Sequence, residues 1–353
     1  MSGRLTHDAT LVVADPAEAG TVYGRGYFGT PGPEGLTLDR YESVYLVEMA
    51  RLAAESARGK SLVWGELYRR AARVEPSFGV RYIVYRDLRQ RGYVVRATPP
   101  PVEFAVLPRG GVLNKTPSRY WVAIHSERIP LNLAELFGLA ERAQSAKKVL
   151  LIALVDEESD LTYYRVRRPS PTGAIEPTPL PIPTVGWLAH DRVTLFEPAA
   201  VEALGKGLAY GSRIGDRLEI SLLEAGYLME TGQLRLTDAR TRRPVTAERF
   251  TRLAQRLDRR FRERLAAYRS LRARRLVVKT GFKYGAHFRA YPRNPDHAHA
   301  RYLVQALPHD HVAAWPEISG GVRVAQGVRK EFLVASVAPG ADVRYLALER
   351  VRP

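Results

Sequence analysis

A chain of 353 residues with 45% hydrophobic content has room for two or more domains and enough apolar side chains to build their cores. Disorder of the whole chain is thereby excluded. Lys and Arg number 54 against 37 Asp and Glu, a net charge of +17, so a polyanion is the expected partner, nucleic acid before membrane. The absence of cysteine excludes disulfide scaffolds, thiolate zinc sites and cysteine nucleophiles. Met1-Ser-Gly-Arg-Leu-Thr-His7 does not have the form of a signal peptide. The longest apolar run, Val149 to Val155, is too short for a bilayer, so a cytoplasmic location away from membranes is expected.

Along the chain, Tyr23-Gly-Arg-Gly26 predicts a glycine turn, and Glu42-Ser-Val-Tyr45-Leu46 the helix that follows it. Tyr85-Arg-Asp-Leu-Arg-Gln-Arg-Gly-Tyr-Val-Val-Arg96 has the composition of a basic helix end running into a strand. Phe104-Ala-Val-Leu-Pro-Arg109, Ser118-Arg-Tyr120 and the stretch from Glu135 to Lys148 come next. The proline-rich segment from Arg168 to Pro183 is expected to extend as polyproline II and act as a linker.

Beyond it each block recurs at an offset near 182: Leu204-Gly-Lys-Gly207, Glu224-Ala-Gly-Tyr227-Leu228, Tyr268 to Lys279, Phe288 to Arg293, Ala300-Arg-Tyr302 and Glu317 to Lys330. Six matches in nearly one register mark a tandem duplication. In the second copy Phe250, Leu253, Leu257, Phe261, Leu265, Tyr268 and Leu271 recur at three and four, which predicts one amphipathic helix. Strands are expected at Leu276 to Lys279, His287 to Tyr291 and Tyr302 to Leu307, then a helix from Pro316 to Lys330 with the proline at its first position, then a strand at Phe332 to Val337.

The expected fold class is α/β (α+β), with each repeat an N-terminal subdomain followed by a C-terminal subdomain whose mixed sheet is flanked by helices. The boundaries are 1–167 for a degenerate repeat (1–80 and 81–167), 168–183 for the linker and 184–353 for the second repeat (184–274 and 275–353). Charge is unevenly shared. The first 183 residues carry a net +4 and the remainder +13, with fourteen basic side chains against Asp258 and Glu263 between Arg252 and Arg293. That cluster suits phosphate contact, although charge runs also occur as solvated helix faces.

The copies differ in their ionisable groups. Tyr291 corresponds to Leu107 and His299 falls near Pro117, whereas Lys330 corresponds to Lys148. A tyrosine, a histidine and a lysine, with neither a nucleophile elbow nor a carboxylate pair, suit cleavage of RNA by its own 2′-hydroxyl. That reaction needs a base at the 2′-oxygen, an acid at the departing 5′-oxygen and a cation for the charge gained by the phosphorane. Cations favour the ionised form of a phenol, and Arg289, Arg293 and Lys330 are candidates for that role. Each residue also has an ordinary structural use. A strand tyrosine packs, a lysine at a helix end complements the dipole, and Gly281 and Gly285 around Phe282-Lys-Tyr284 shape a turn. Five of the eight histidines, His287, His297, His299, His309 and His311, lie close together in sequence, which raises a metal site as a rival.

Val278-Lys-Thr-Gly-Phe-Lys-Tyr-Gly-Ala-His-Phe-Arg-Ala-Tyr291, His299-Ala-Arg-Tyr-Leu-Val304 and Val322-Arg-Val-Ala-Gln-Gly-Val-Arg-Lys330 together resemble the archaeal tRNA-splicing endonucleases, most specifically over residues 268 to 337. The resemblance is to the homodimeric type, in which a degenerate copy precedes a catalytic one. It implies a tRNA-intron lyase that needs no cofactor or metal and cuts precursor tRNA at bulge-helix-bulge junctions, leaving a 2′,3′-cyclic phosphate and a 5′-hydroxyl. Carried over by motif, Tyr291 is the base, His299 the acid and Lys330 the cation. His297 competes with His299, but the Ala-Arg-Tyr-Leu-Val that follows favours His299. Arg323 matches one of the arginines that sandwich a bulge base from the opposite subunit, and Arg344 is the candidate for the second. The family's acidic docking loop would fall at His125 to Pro130, which offers only Glu127, or near Pro308-His-Asp-His311. A noncatalytic RNA-binding subunit and a metal-dependent nuclease are the competing functions.

Overall fold

A computed structural model describes residues 1–6, 9–176, 180, 183–340 and 342–353. It divides into two compact units, one of Met1–Ile129, Arg142–Tyr164 and Val351–Pro353, the other of Pro130–Glu141 and Arg165–Arg350. Each contains a six-stranded sheet of the same topology. In the first, Ser2–Leu5 pairs antiparallel with Leu11–Val13 and parallel with Ala53–Glu55. In the second, Thr184–Ala189 pairs antiparallel with Arg192–Leu195 and parallel with Leu234–Asp238. The duplication inferred from the blocks is therefore a duplication of topology. Among the described residues no helix is long and apolar enough to cross a membrane.

One buried carboxylate organises each copy. Asp39 caps the helix Arg40–Glu48, its side chain accepting from the amide of Glu42, while Glu42 accepts from the Asp39 amide (3.0 Å). Ser221 and Glu224 make the same reciprocal cap on Leu222–Glu230. Such a cap satisfies amides that the first helical turn leaves unpaired. The second oxygen of each glutamate accepts a glycine amide, Gly29 at 3.0 Å and Gly211 at 2.8 Å. Both glycines have positive φ, and a Cβ on Gly211 would lie 2.2 Å from the Glu219 carbonyl oxygen. The copies then diverge. Arg96 donates to both Glu42 (3.0 Å) and the Gly29 carbonyl (3.0 Å), whereas Lys279, the residue in its place, donates to the Gly211 carbonyl.

The expected helix over Phe250 to Leu271 is two helices, Ala247–Leu257 and α1 (Phe261–Ala273), separated at Asp258, whose backbone is extended. Asp258 accepts the amides of Arg260, through its side chain, and Phe261, through its carbonyl. The apolar spacing of four from Leu257 to Phe261 spans this break, so periodicity alone did not reveal it. The glycine motifs lie at helix ends: Pro16–Gly24 finishes inside the first, and a π-helical turn, Val201–Gly207, ends on the second. Short hairpins, Thr30–Gly32 with Gly35–Leu38 and Ser212–Ile214 with Arg217–Ser221, intervene before the next helix. These strands are too short to display an alternating pattern.

After α1 come β1 (Val277–Thr280), β2 (Phe288–Tyr291), β3 (Tyr302–Pro308), α2 (Trp315–Gly327), β4 (Glu331–Val337) and β5 (Val343–Val351), within three residues of the expected bounds where bounds were expected. Pro316 is the second residue of α2 rather than its first. The strand order is β1-β2-β3-β4-β5, all antiparallel except the β3–β4 pair. The loops considered for acidic docking lead into Leu131–Asn132 and Val312–Ala313, which pair antiparallel with each other.

The proline-rich segment is not a free tether where it is described. Gly173 donates to the Arg274 carbonyl, Ala174 to Pro292 and Ile175 to Arg275, and a Cβ on Gly173 would lie 2.1 Å from the Arg275 carbonyl oxygen. Prolines cannot donate, so the non-proline amides between them carry the docking. Residues 177–179 and 181–182 of the expected linker lie outside the described residues.

Removing Arg96 would leave Glu42, 2% exposed, without its cation. Arg96→Ala is expected to cost about 3 kcal/mol in urea unfolding, the range for one broken partner of a buried ion pair. Arg96→Lys should recover part of the loss.

Candidate active site

Hydrogen-bond register brings the candidate residues to one edge of the second unit's sheet. Ala290 lies opposite Tyr302 in the antiparallel β2–β3 pair, and Tyr302 lies opposite Glu331 in the parallel β3–β4 pair. Tyr291 ends β2, His299 stands three residues before β3, and Lys330 immediately precedes β4. Two further bonds close the edge, Arg301 N–H to the Ala290 carbonyl (3.0 Å) and Glu331 N–H to the Arg301 carbonyl (2.9 Å). With neighbouring strands about 4.8 Å apart, the backbones at Tyr291 and Lys330 are separated by roughly 10 Å, with the chain leading from His299 between them.

Tyr291 is 8% exposed and packs with Ala209, Val277 and Ala300. The Arg289 guanidinium lies 5.9 Å from the Tyr291 ring and 5.8 Å from the ring of Tyr284, and its Nε donates to the Thr280 carbonyl at 2.8 Å. Lys330 Nζ sits 5.7 Å from the same Tyr284 ring and donates to the Val328 carbonyl at 3.2 Å. Tyr284 thus joins the arginine beside Tyr291 to the lysine at the start of β4, by cation–π contacts on one ring. The turn before Lys330 is tight, with Arg329 at φ 55° and the Lys330 amide bonded to the Ala325 carbonyl at 2.8 Å. Lys330 therefore lies beyond the helix cap, at the mouth of a strand. His299 and His297 are both exposed. Arg301 is engaged with Glu331 (2.9 Å), which also pairs with Arg167.

Arg293 and Arg323 are exposed, the latter on α2. Arg344 is not at this edge of its own chain. It pairs with Ser336 on β4, five residues beyond Glu331 and so about 17 Å along the strand. Its guanidinium covers the Phe137 ring at 5.2 Å. The sequence motifs bypassed Tyr284, treating Phe282-Lys-Tyr284 as the filling of a turn. A signal was present: the first copy has Pro99-Pro100-Pro101 there. In that copy the edge is otherwise built alike, with Arg119 N–H to the Val106 carbonyl (2.8 Å) and Val149 N–H to the Arg119 carbonyl (3.0 Å). Leu107 is buried, and Lys148 Nζ donates to the Ser118 carbonyl at 2.6 Å.

The five clustered histidines do not converge. Among the described residues no group of three or more His, Cys, Asp or Glu side chains is placed to hold a metal ion. His287 lines a cavity of about 490 Å³ with Glu224, Arg264, Tyr268 and Lys279, and Tyr291, His299 and Lys330 are not part of that lining. Its Nδ1 accepts the Ala306 amide at 3.0 Å. Burial, reinforced by the Arg264 charge, lowers its pKa from 6.5 to about 4, so the ring is neutral near pH 7. A second cavity, about 460 Å³, is lined by Arg167, Gln326, Arg329, Lys330 and Glu331.

Comparison with known proteins finds the same family in both copies. The profile of the tRNA intron endonuclease catalytic C-terminal domain matches residues 78–163 and again 261–345. That of the tRNA intron endonuclease N-terminal domain matches 1–68 and 185–251. A tRNA-splicing endonuclease of Methanococcoides burtonii is 34% identical over the full length of both chains. One from Methanosarcina acetivorans is 36% identical over 97% of each, and one from Natronomonas pharaonis 32% identical over all of both.

The neutral state of His287 makes stability depend on acidity. Because its folded pKa lies below the unfolded value, this contribution is complete above about pH 6.5 and is lost as pH falls towards 4. A drop from 6.5 to about 4 corresponds to about 3 kcal/mol. Urea unfolding at pH 7 and pH 4 should therefore show a larger loss for the wild type than for His287→Gln, whose amide oxygen can still accept the Ala306 amide.

Proposed function

This chain belongs to the tRNA intron endonuclease family, and from that premise we propose that it cuts precursor tRNA at both exon–intron junctions of a bulge-helix-bulge motif, by metal-independent transesterification. It is an RNA endonuclease of tRNA splicing; the chemistry proposed is the one its residues suit. The 2′-oxygen at the junction attacks the adjacent phosphorus while the phosphorus–O5′ bond breaks. Tyr291 takes the proton from the 2′-hydroxyl and His299 gives one to the departing 5′-oxygen. Lys330 balances the charge that builds on the phosphorane oxygens. The products are a 2′,3′-cyclic phosphate and a 5′-hydroxyl. What chiefly supports this reading is that the three groups stand on one sheet edge in the second repeat, while the first repeat keeps the edge with only Lys148.

Residues 1–167 serve in this reading as the degenerate repeat, 168–183 as connector and 184–353 as the catalytic repeat. One complete set per chain, against two cuts per intron, calls for a homodimer. Arg323 and Arg344 then act on the partner's substrate, sandwiching a bulge base between guanidinium planes. A use in the partner's site is consistent with the distance of Arg344 from its own chain's Lys330. Arg289 and Arg293 add phosphate affinity near Tyr291.

With bulge-helix-bulge RNA and excess EDTA, the wild type is expected to cut both junctions fully. Replacing the 2′-hydroxyl at a junction by hydrogen should abolish the cut there. Tyr291→Phe, His299→Ala and Lys330→Ala should each slow cleavage of bound RNA by about 10²–10⁴-fold. Cleavage of the deoxy junction, or activity lost in EDTA and restored by metal, would refute the mechanism. Mass in solution should equal two chains.

A further inference from the structure

The turn joining β1 to β2 presents a side chain that the chemistry above does not use. Phe282–Tyr284 is a single 3₁₀ turn, closed by Tyr284 N–H to the Gly281 carbonyl (2.8 Å) and Gly285 N–H to the Phe282 carbonyl (3.0 Å). Glycine is required at the first end and favoured at the second. A Cβ at Gly281 would lie 2.6 Å from the Ala286 carbonyl oxygen, and Gly285 has φ +63°. Tyr284 anchors the turn through Lys330 and Arg289. Phe282, two residues away, is left outside. It is 86% exposed, more than any other large apolar side chain among the described residues.

Single exposed apolar residues are common and by themselves mean little. Three observations set this one apart. The turn is held in place by the lysine assigned to the phosphorane. Lys283 follows Phe282 directly in the chain and is also exposed. The equivalent connection in the first repeat, between Val95–Ala97 and Phe104–Val106, carries Thr98-Pro99-Pro100-Pro101-Val102, with neither an aromatic ring nor a cation. The aromatic and basic tip therefore occurs only in the copy that also holds Tyr291, His299 and Lys330. An exposed ring beside a cation on a rigid turn matches an unstacked base and its phosphate, since every base has a face that stacks on an aromatic side chain.

We propose that Phe282 is the platform on which an unpaired nucleobase adjoining the cut phosphate stacks, with Lys283 on the neighbouring RNA phosphate. The assignment rests on the RNA-cleaving function above and adds to it a determinant of substrate position. Phe282 is a positioning residue, since it holds a base and touches no reacting atom.

The test uses the full-length protein and bulge-helix-bulge RNA made uncleavable by 2′-deoxy substitution at both junctions, with 2-aminopurine placed in turn at each bulge nucleotide. Wild type should quench the fluorescence at one bulge position. Phe282→Ala should lose that quench and bind the RNA about tenfold to hundredfold more weakly, the range for one lost base–aromatic stack. Phe282→Tyr and Phe282→Trp should restore both, and Phe282→Leu should not. Thermal stability of all four should match wild type. Lys283→Ala should weaken binding and flatten its salt dependence. Unchanged binding and quenching in Phe282→Ala would overturn the proposal. So would a Phe282→Ala protein that falls to one chain in solution without RNA, since the ring would then serve a second copy of the chain. Binding and quenching are read without reference to product, so failure of the cleavage mechanism would show separately, as activity lost in EDTA or as cutting of the deoxy junctions.

Discussion

Parallel pairing of β3 with β4, from Tyr302 opposite Glu331 to Pro308 opposite Val337, is the constraint on which the candidate site depends. Parallel neighbours cannot be joined by a tight turn, so α2 must carry the chain back to the edge where β3 begins. Lys330 is delivered there as the last residue before β4. The antiparallel β2–β3 pair ends Tyr291 at the same edge. A slip of one residue in either ladder would turn every side chain to the other face and take Tyr291 or Lys330 away from the other.

The first copy has the same constraint without the tyrosine and the histidine. Its parallel ladder runs from Tyr120 opposite Val149 to Ser126 opposite Val155, and Lys148 precedes Val149 as Lys330 precedes Glu331. The lysine survives there bonded to a backbone carbonyl, with an apolar Leu107 in place of the tyrosine. Divergence extends inward. The first copy fills the region behind its capped helix with stacked rings, Tyr41 on Phe78 and edge-on to Phe104. Its ion pairs join Arg81 to Glu75 and Glu103. The second copy has Leu223 and His287 at the positions of Tyr41 and Glu103, and its larger cavity opens there. The first copy fills this region with rings and ion pairs, and the second leaves a cavity there.

Electrostatics follow the same division. Most of the excess positive charge lies in the second copy, and at the candidate site arginine and lysine meet aromatic rings more often than carboxylates. A cation facing a ring is not neutralised by it, whereas Arg301 is paired with the Glu331 carboxylate.

The sequence by itself determined the duplication, the fold class, the family and the three candidate residues. Those features are carried by local signals: repeated blocks at matching offsets, apolar periodicity, and a motif dense enough to be recognised residue by residue. Tertiary structure alone decided matters of distance. The helix over Phe250 to Leu271 breaks at Asp258 because a carboxylate and a carbonyl capture the next amides, an event that leaves the apolar spacing untouched. The proline-rich segment docks through Gly173, Ala174 and Ile175 on partners about a hundred residues away. Arg344 proves remote from Lys330 because strand register, rather than proximity in sequence, sets its place. Phe282 and Tyr284 alternate along one turn, but only packing against Lys330 and Arg289 draws one ring inward and leaves the other to solvent.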